Sequence, residues 1–143
     1  MKYTISSEES MKTFGEQIAR TLKGGEIIEL VGDIGAGKTT LTKGIAAGLG
    51  VTDDVQSPSF TISRTYETAR DRQLVHYDFY RLSDPGILAA ELHDVIGDPH
   101  IITIVEWADV VKEVLPTDHI IIKIESPSEQ TRDVYVTPDN LVD

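Results

Sequence analysis

The stretch Gly32-Asp33-Ile34-Gly35-Ala36-Gly37-Lys38-Thr39 places two glycines, a lysine and a hydroxyl residue at the spacing G-x-x-x-x-G-K-[ST]. This chemistry suits a chain of phosphates. Phosphate oxygens need several donors converging from a small arc, and glycines let successive backbone N–H groups turn inward as an anion nest. A helix opening at Lys38 adds free N-terminal amides and the positive end of its dipole. Lys38 puts a compact cation on the outer phosphates, the Thr39 hydroxyl suits Mg²⁺, and Thr40 suits the inner phosphate. The nucleotide-binding set is therefore Gly32, Asp33, Ile34, Gly35, Ala36, Gly37, Lys38, Thr39 and Thr40. Asp33 is an acid inside an anion-binding loop, so it is expected to point outward. A chance glycine-rich turn containing Lys-Thr is the plainer alternative, but it would not require an apolar strand directly before the loop and a helix directly after it.

A Mg-nucleotide site also needs carboxylates on the metal side. Glu106 follows the apolar run Ile101-Ile102-Thr103-Ile104-Val105, and Asp78 follows Leu74-Val75-His76-Tyr77 in the same way. Ligands of open α/β sheets bind beyond the carboxyl ends of the strands, so Glu106 is expected to share one crevice with the glycine loop, against the plainer reading of a solvated acid after a strand. Glu106 is the candidate metal carboxylate, direct or through water. Asp78 is a candidate to orient the attacking water or join the metal's outer shell, against the plainer reading of a turn aspartate. Alternation puts His76 on the same strand face as Asp78, although a lone histidine is more commonly structural. Trp107, the single tryptophan, reads first as core and second as a partner contact. Ser57-Pro58-Ser59-Phe60-Thr61 reads as a surface turn or as a segment sensing the terminal phosphate, with Ser57, Ser59 and Thr61 its hydroxyls. No arginine finger stands out, since spacing does not choose among Arg64, Arg81 and Arg132. Slow hydrolysis by the isolated chain, raised or gated by a partner, is therefore expected.

These residues need a scaffold of alternating strands and helices. Residues 4–5 begin a short strand, and Ser6-Ser7-Glu8-Glu9-Ser10 opens a helix with capping hydroxyls and acids in its first turn. Met11, Phe14, Ile18 and Leu22 recur at helical spacing on one face, and Gly24-Gly25 is the expected stop. Residues 26–31 read as a strand, 32–37 as a loop, and 38–49 as a helix closed by Gly50. Residues 60–66 and 73–77 read as an antiparallel pair, and Asp84-Pro85 opens a further helix. Residues 101–105 read as a buried strand, 107–115 as a helix stopped by Pro116, and 120–125 and 133–137 as two late strands. The order predicts an α/β chain with three layers, a mixed parallel and antiparallel central sheet and helices on both faces. One domain over residues 1–143 is expected.

Composition narrows the setting. The 143 residues carry 13 basic and 24 acidic side chains, a formal net charge of -11, and no cysteine. The overall field repels phosphate backbones, so any polyanion must be held locally. The lack of cysteine removes disulfides and thiolate chemistry and suits a cytoplasmic protein. No run approaches the ~20 apolar residues of a bilayer span, so no membrane role is expected.

Four blocks together resemble one family: the glycine loop through Thr40, Ser57-Pro58-Ser59-Phe60-Thr61-Ile62, His76-Tyr77-Asp78-Phe79-Tyr80-Arg81-Leu82, and Ile104-Val105-Glu106-Trp107. Their order and spacing resemble TsaE, the small bacterial P-loop NTPase of tRNA threonylcarbamoyladenosine modification. Ser59 stands where the family usually has threonine, and Ala108-Asp109 where it often has Pro-Glu. The resemblance implies an ATP- and Mg²⁺-dependent ATPase that acts with a transferase subunit and its paralogous partner. Together these place threonylcarbamoyl on the adenosine next to the anticodon of tRNAs reading codons that begin with A. It implies that tRNA is met only through those partners, that Lys38, Asp78 and Glu106 are catalytic, and that Thr39 and Glu106 serve the metal. Ser57, Ser59, Thr61 and Trp107 would form the switch-like or partner-facing set. The segment around Glu8 and the turn near Arg132 are the candidates to cover the base. A small P-loop kinase or phosphotransferase shares the loop, but would need a lid with several arginines. A non-hydrolysing regulatory module would not need the two acids.

Overall fold

Side chains alternate along each strand between the two faces of one sheet, and the central strands β4 and β5 are buried on both faces. A computed structural model describes residues 2–33, 35–55, 63–79 and 86–138, apart from the side chains of residues 87 and 88. In chain order the elements are β1 (Lys2–Ile5), α1 (Glu8–Thr21), β2 (Ile27–Val31), α2 (Lys38–Gly48), β3 (Ser63–Glu67) and β4 (Gln73–Asp78). There follow α3 (Gly86–Val95), β5 (Ile101–Glu106), a 3-10 turn (Ala108–Val111), β6 (Ile120–Glu125) and β7 (Arg132–Thr137). Among the described residues, seven strands form one sheet of order β1-β7-β6-β2-β5-β4-β3. The pairs β2/β5, β2/β6 and β4/β5 are parallel, while β1/β7, β6/β7 and β3/β4 are antiparallel. The sheet is mixed as expected, with antiparallel strands at both edges.

The helices follow local rules. Ser7 caps α1 by accepting a 3.0 Å hydrogen bond from the Ser10 amide, with Glu8 and Glu9 in the first turn. Met11, Phe14, Ile18 and Leu22 are buried against the sheet. α1 stops at Thr21, with Leu22 as its C-cap, short of the glycine pair; the Glu26 carboxylate accepts from the amides of Lys23 and Gly24. α2 opens directly after Gly37, whose φ of 110° is easy only for glycine.

Two apolar layers result. Ile28, Leu30, Leu74, Ile102, Ile104 and Ile122 face α1 and α2. On the other face Ile27, Val75, Tyr77 and Val105 pack with Leu92 of α3 and with Ala108, Val111 and Leu115. The expected helix over 107–115 is corrected to the short 3-10 turn. Trp107 leaves β5 with φ 55° and ψ 53°, a left-handed conformation that puts it outside any right-handed helix, and the turn it caps, Ala108–Val111, is of the tighter 3-10 kind. Beyond it the amides of Val114 and Leu115 bond three residues back, to Val111 and Lys112, as separate tight turns. Residues 56–62, 80–85 and 139–143 lie outside the described residues. They include the Ser57–Thr61 segment, the start of the expected 60–66 strand and Asp84-Pro85.

Candidate functional site

The crevice forms where α2 begins and the central strands end. Parallel pairing sets Leu30 of β2 opposite Glu106 of β5, so the loop that leaves β2 at Gly32 starts beside that carboxylate. The next pairing sets Glu106 opposite Asp78 of β4. Both acids are the last residues of their strands, and both are buried.

Lys38 is buried too, at 7% exposure, in the first turn of α2. A buried ammonium requires compensation. It donates a 2.6 Å hydrogen bond to the Gly32 carbonyl, stands 3.8 Å from Glu106 Oε1, and lies 4.3 Å from the centroid of the Trp107 ring. The left-handed turn at Trp107 brings the indole back toward the loop, where its face meets the cation. The other Glu106 oxygen, Oε2, is 2.6 Å from His76 Nε2. Lys38, Glu106, His76 and Trp107 therefore form one connected cluster, with Asp78 level with Glu106 on the adjoining strand.

The rest of the loop borders open space. A Cβ on Gly35 would meet nothing within 4 Å, whereas one on Gly32 would come 2.9 Å from the Ile124 carbonyl. Gly32 is thus required by the close pass of β6, and Gly35 by its φ of 83°. Asp33 is exposed, and Thr39 and Thr40 are half-buried in the first turn of α2. Ile34 lies outside the described residues, as do Ser57, Ser59 and Thr61.

A cavity of about 340 Å³ adjoins Gly35, Gly37 and Thr40. Its far walls are the start of α1, including Ser7 and Glu8, and the β6–β7 turn at Glu129 and Gln130. Arg132 ties that turn to the loop. Its Nε donates to the Ala36 carbonyl at 3.1 Å, and its Nη1 to the carbonyls of Ser128 and Thr131 at 2.9 and 2.8 Å. The two segments whose spacing left them open for the base thus line one cavity beside the phosphate loop. Spacing also underrated His76; its place on the face of Asp78 was readable, its partner on the next strand was not.

The donors fit Mg²⁺. A threonine hydroxyl and buried carboxylates are hard oxygen ligands, and this ion takes one or two carboxylates while phosphates and waters complete its shell. Among the described residues no group of three or more acidic, histidine or cysteine side chains forms a cage for a metal by itself.

A glycine loop between a central parallel strand and a helix, backed by a strand-end carboxylate on the neighbouring parallel strand, is the architecture of a P-loop NTPase. The chain belongs to the TsaE family. The family model, described as "Threonylcarbamoyl adenosine biosynthesis protein TsaE", matches residues 5–134. The TsaE of Bacillus subtilis is 36% identical over 141 residues, covering 96% of this chain and 85% of the relative. That of Aquifex aeolicus is 40% identical over 134 residues, covering 92% of each. The crystal structure of Bacillus subtilis YdiB superposes with a TM-score of 0.78 at 32% identity, covering 98% of this chain and 86% of that one.

Proposed function

We propose that this chain is the Mg²⁺-dependent ATPase of threonylcarbamoyladenosine formation on tRNA, a single cytoplasmic domain working with a transferase subunit and its paralogous partner. The observation that carries the reading is the buried meeting of Lys38 with Glu106 at the mouth of the glycine loop. The relatives' names supply the pathway.

In this reading the amides of residues 32–37 and the α2 N-terminus bind the phosphates. Lys38 exchanges its Gly32 carbonyl for an outer phosphate. Thr39 and Glu106 hold Mg²⁺, which supplies charge neutralisation on the phosphates. Asp78 orients the attacking water, and Thr40 serves the inner phosphate. The base enters the cavity between Glu8 and the β6–β7 turn. Phosphoryl transfer is mainly positioning and charge neutralisation, and among the described residues Lys38 is the cationic side chain that meets Glu106. In this reading the isolated chain turns over slowly and the transferase pair stimulates it. The acidity fits as well, because a chain of net charge -11 leaves the tRNA to its partners. No helix among the described residues is long and apolar enough to cross a membrane.

The test is ATP hydrolysis with and without the transferase heterodimer, for the parent and for Glu106→Ala. The expected outcome is stimulation by the heterodimer, reduced at least ~100-fold in the variant, beyond the 10–100-fold typical of outer-shell groups. An unstimulated parent that passes phosphate to a small acceptor would instead make it a phosphotransferase.

A further inference from the structure

The sheet face beneath α1 and α2 is apolar through Leu30, Leu74, Ile102 and Ile104, then changes character at its carboxyl end. There His76 is completely buried. A carboxylate only accepts, so the 2.6 Å contact between His76 Nε2 and Glu106 Oε2 places the hydrogen on Nε2. The other ring nitrogen, Nδ1, is buried and makes no hydrogen bond among the described residues. Arg64, opposite His76 in the β3–β4 register, also has a buried Nε without one. Packing alone does not account for an imidazole here. Leucine would fill the place without burying two polar ring nitrogens, and burying polar atoms carries a free-energy cost unless each is hydrogen-bonded.

What the ring contributes is a fixed donor. It occupies one oxygen of Glu106 and leaves the other, Oε1, on the side of Lys38 and the loop. We propose that His76 is a positioning residue for Glu106: it locks the carboxylate so that Oε1 faces the metal and phosphate site. Outer-shell partners of this kind orient metal-binding carboxylates and are typically worth 10–100-fold in affinity or activity. The inference rests on the reading that Glu106 serves Mg²⁺.

Two amide substitutions separate this role from a packing role. In His76→Gln the side-chain nitrogen reaches the position of Nε2; in His76→Asn it stops near that of Nδ1, short of Glu106. ADP affinity in chelator should be alike in the parent and both variants, because the loop alone holds the phosphates. The Mg²⁺ concentration that half-saturates the gain in ADP affinity should rise roughly 10–100-fold in His76→Asn and stay near the parent value in His76→Gln. Mn²⁺ binding to the ADP complex, read by electron paramagnetic resonance, should follow the same order. Equal behaviour of the two variants overturns the proposal. A second measurement needs no variant. In ¹⁵N-histidine spectra the His76 Nε2–H resonance should move when Mg²⁺ is added to the ADP-bound parent, and a stationary resonance overturns the proposal even if a variant fails to fold. If the parent itself shows no divalent dependence, the ATPase reading fails instead.

Discussion

Lys38 is the side chain on which the site turns, because its charge is buried among three groups that compete for it: the Gly32 carbonyl, the Glu106 carboxylate and the Trp107 ring. A triphosphate offers a stronger partner than a neutral carbonyl, since hydrogen bonds between ionised groups are roughly twice as strong as neutral ones. Nucleotide should therefore draw the ammonium away from the indole. Trp107 is the only tryptophan, so its emission reports the movement without a label. We predict a saturable emission change on adding ADP, abolished in Lys38→Ala. ADP affinity in that variant should fall roughly 10–100-fold, about the worth of one charge-assisted hydrogen bond. ADP bound by calorimetry with no change in emission would refute the movement.

Between helices the decisive feature is how closely α1 and α2 approach. A Cβ on Gly15 would sit 2.6 Å from the Leu41 carbonyl oxygen, and one on Gly44 would strike the Lys12 carbonyl. The two backbones touch at glycine. α2 carries the phosphate loop at its N-terminus, so this contact also sets where the loop points. Glycine inside an exposed helix normally gains up to ~1 kcal/mol on mutation to alanine. Here the methyl must displace backbone, and overpacking of that kind costs about 1–3 kcal/mol. Gly44→Ala should thus lower the urea midpoint with little change in slope; a raised midpoint would contradict the close approach. Nothing local marks these glycines, whereas the capped start of α1 was legible in Ser7 and the acids behind it. The same division explains the miss after β5. Residues 107–115 have helical composition, but the left-handed turn at Trp107 answers to the crevice rather than to propensity.

For the molecule as a whole, alkaline pH is a sharp probe of the second core layer. Tyr77 is buried there, stacked on Phe79 with ring centroids 5.6 Å apart. Burial first, and the negative charge of Glu91 second, push its phenol above the ordinary 10.0. Folding therefore favours the neutral phenol. That contribution is complete below pH ~10 and is lost as the pH rises through the raised value. Tyr77→Phe cannot ionise at this position and should unfold at a higher pH than the parent; coincident alkaline midpoints would show that the buried phenol does not govern that limb.

The glycine loop, the strand before it, the helix after it and the acids ending two strands are all short-range patterns, and the sequence alone determined them. Strand order and register are not short-range. They decide that Glu106 stands opposite Leu30 and Asp78, that His76 reaches Glu106 across 30 residues, and that Arg132 reaches the loop across 96. A slip of one residue in any of these pairings would turn the same side chains to the opposite face of the sheet. The loop could therefore be read from its own letters, while the cluster that gives its lysine a carboxylate, an indole and a buried histidine exists only after the strands have paired.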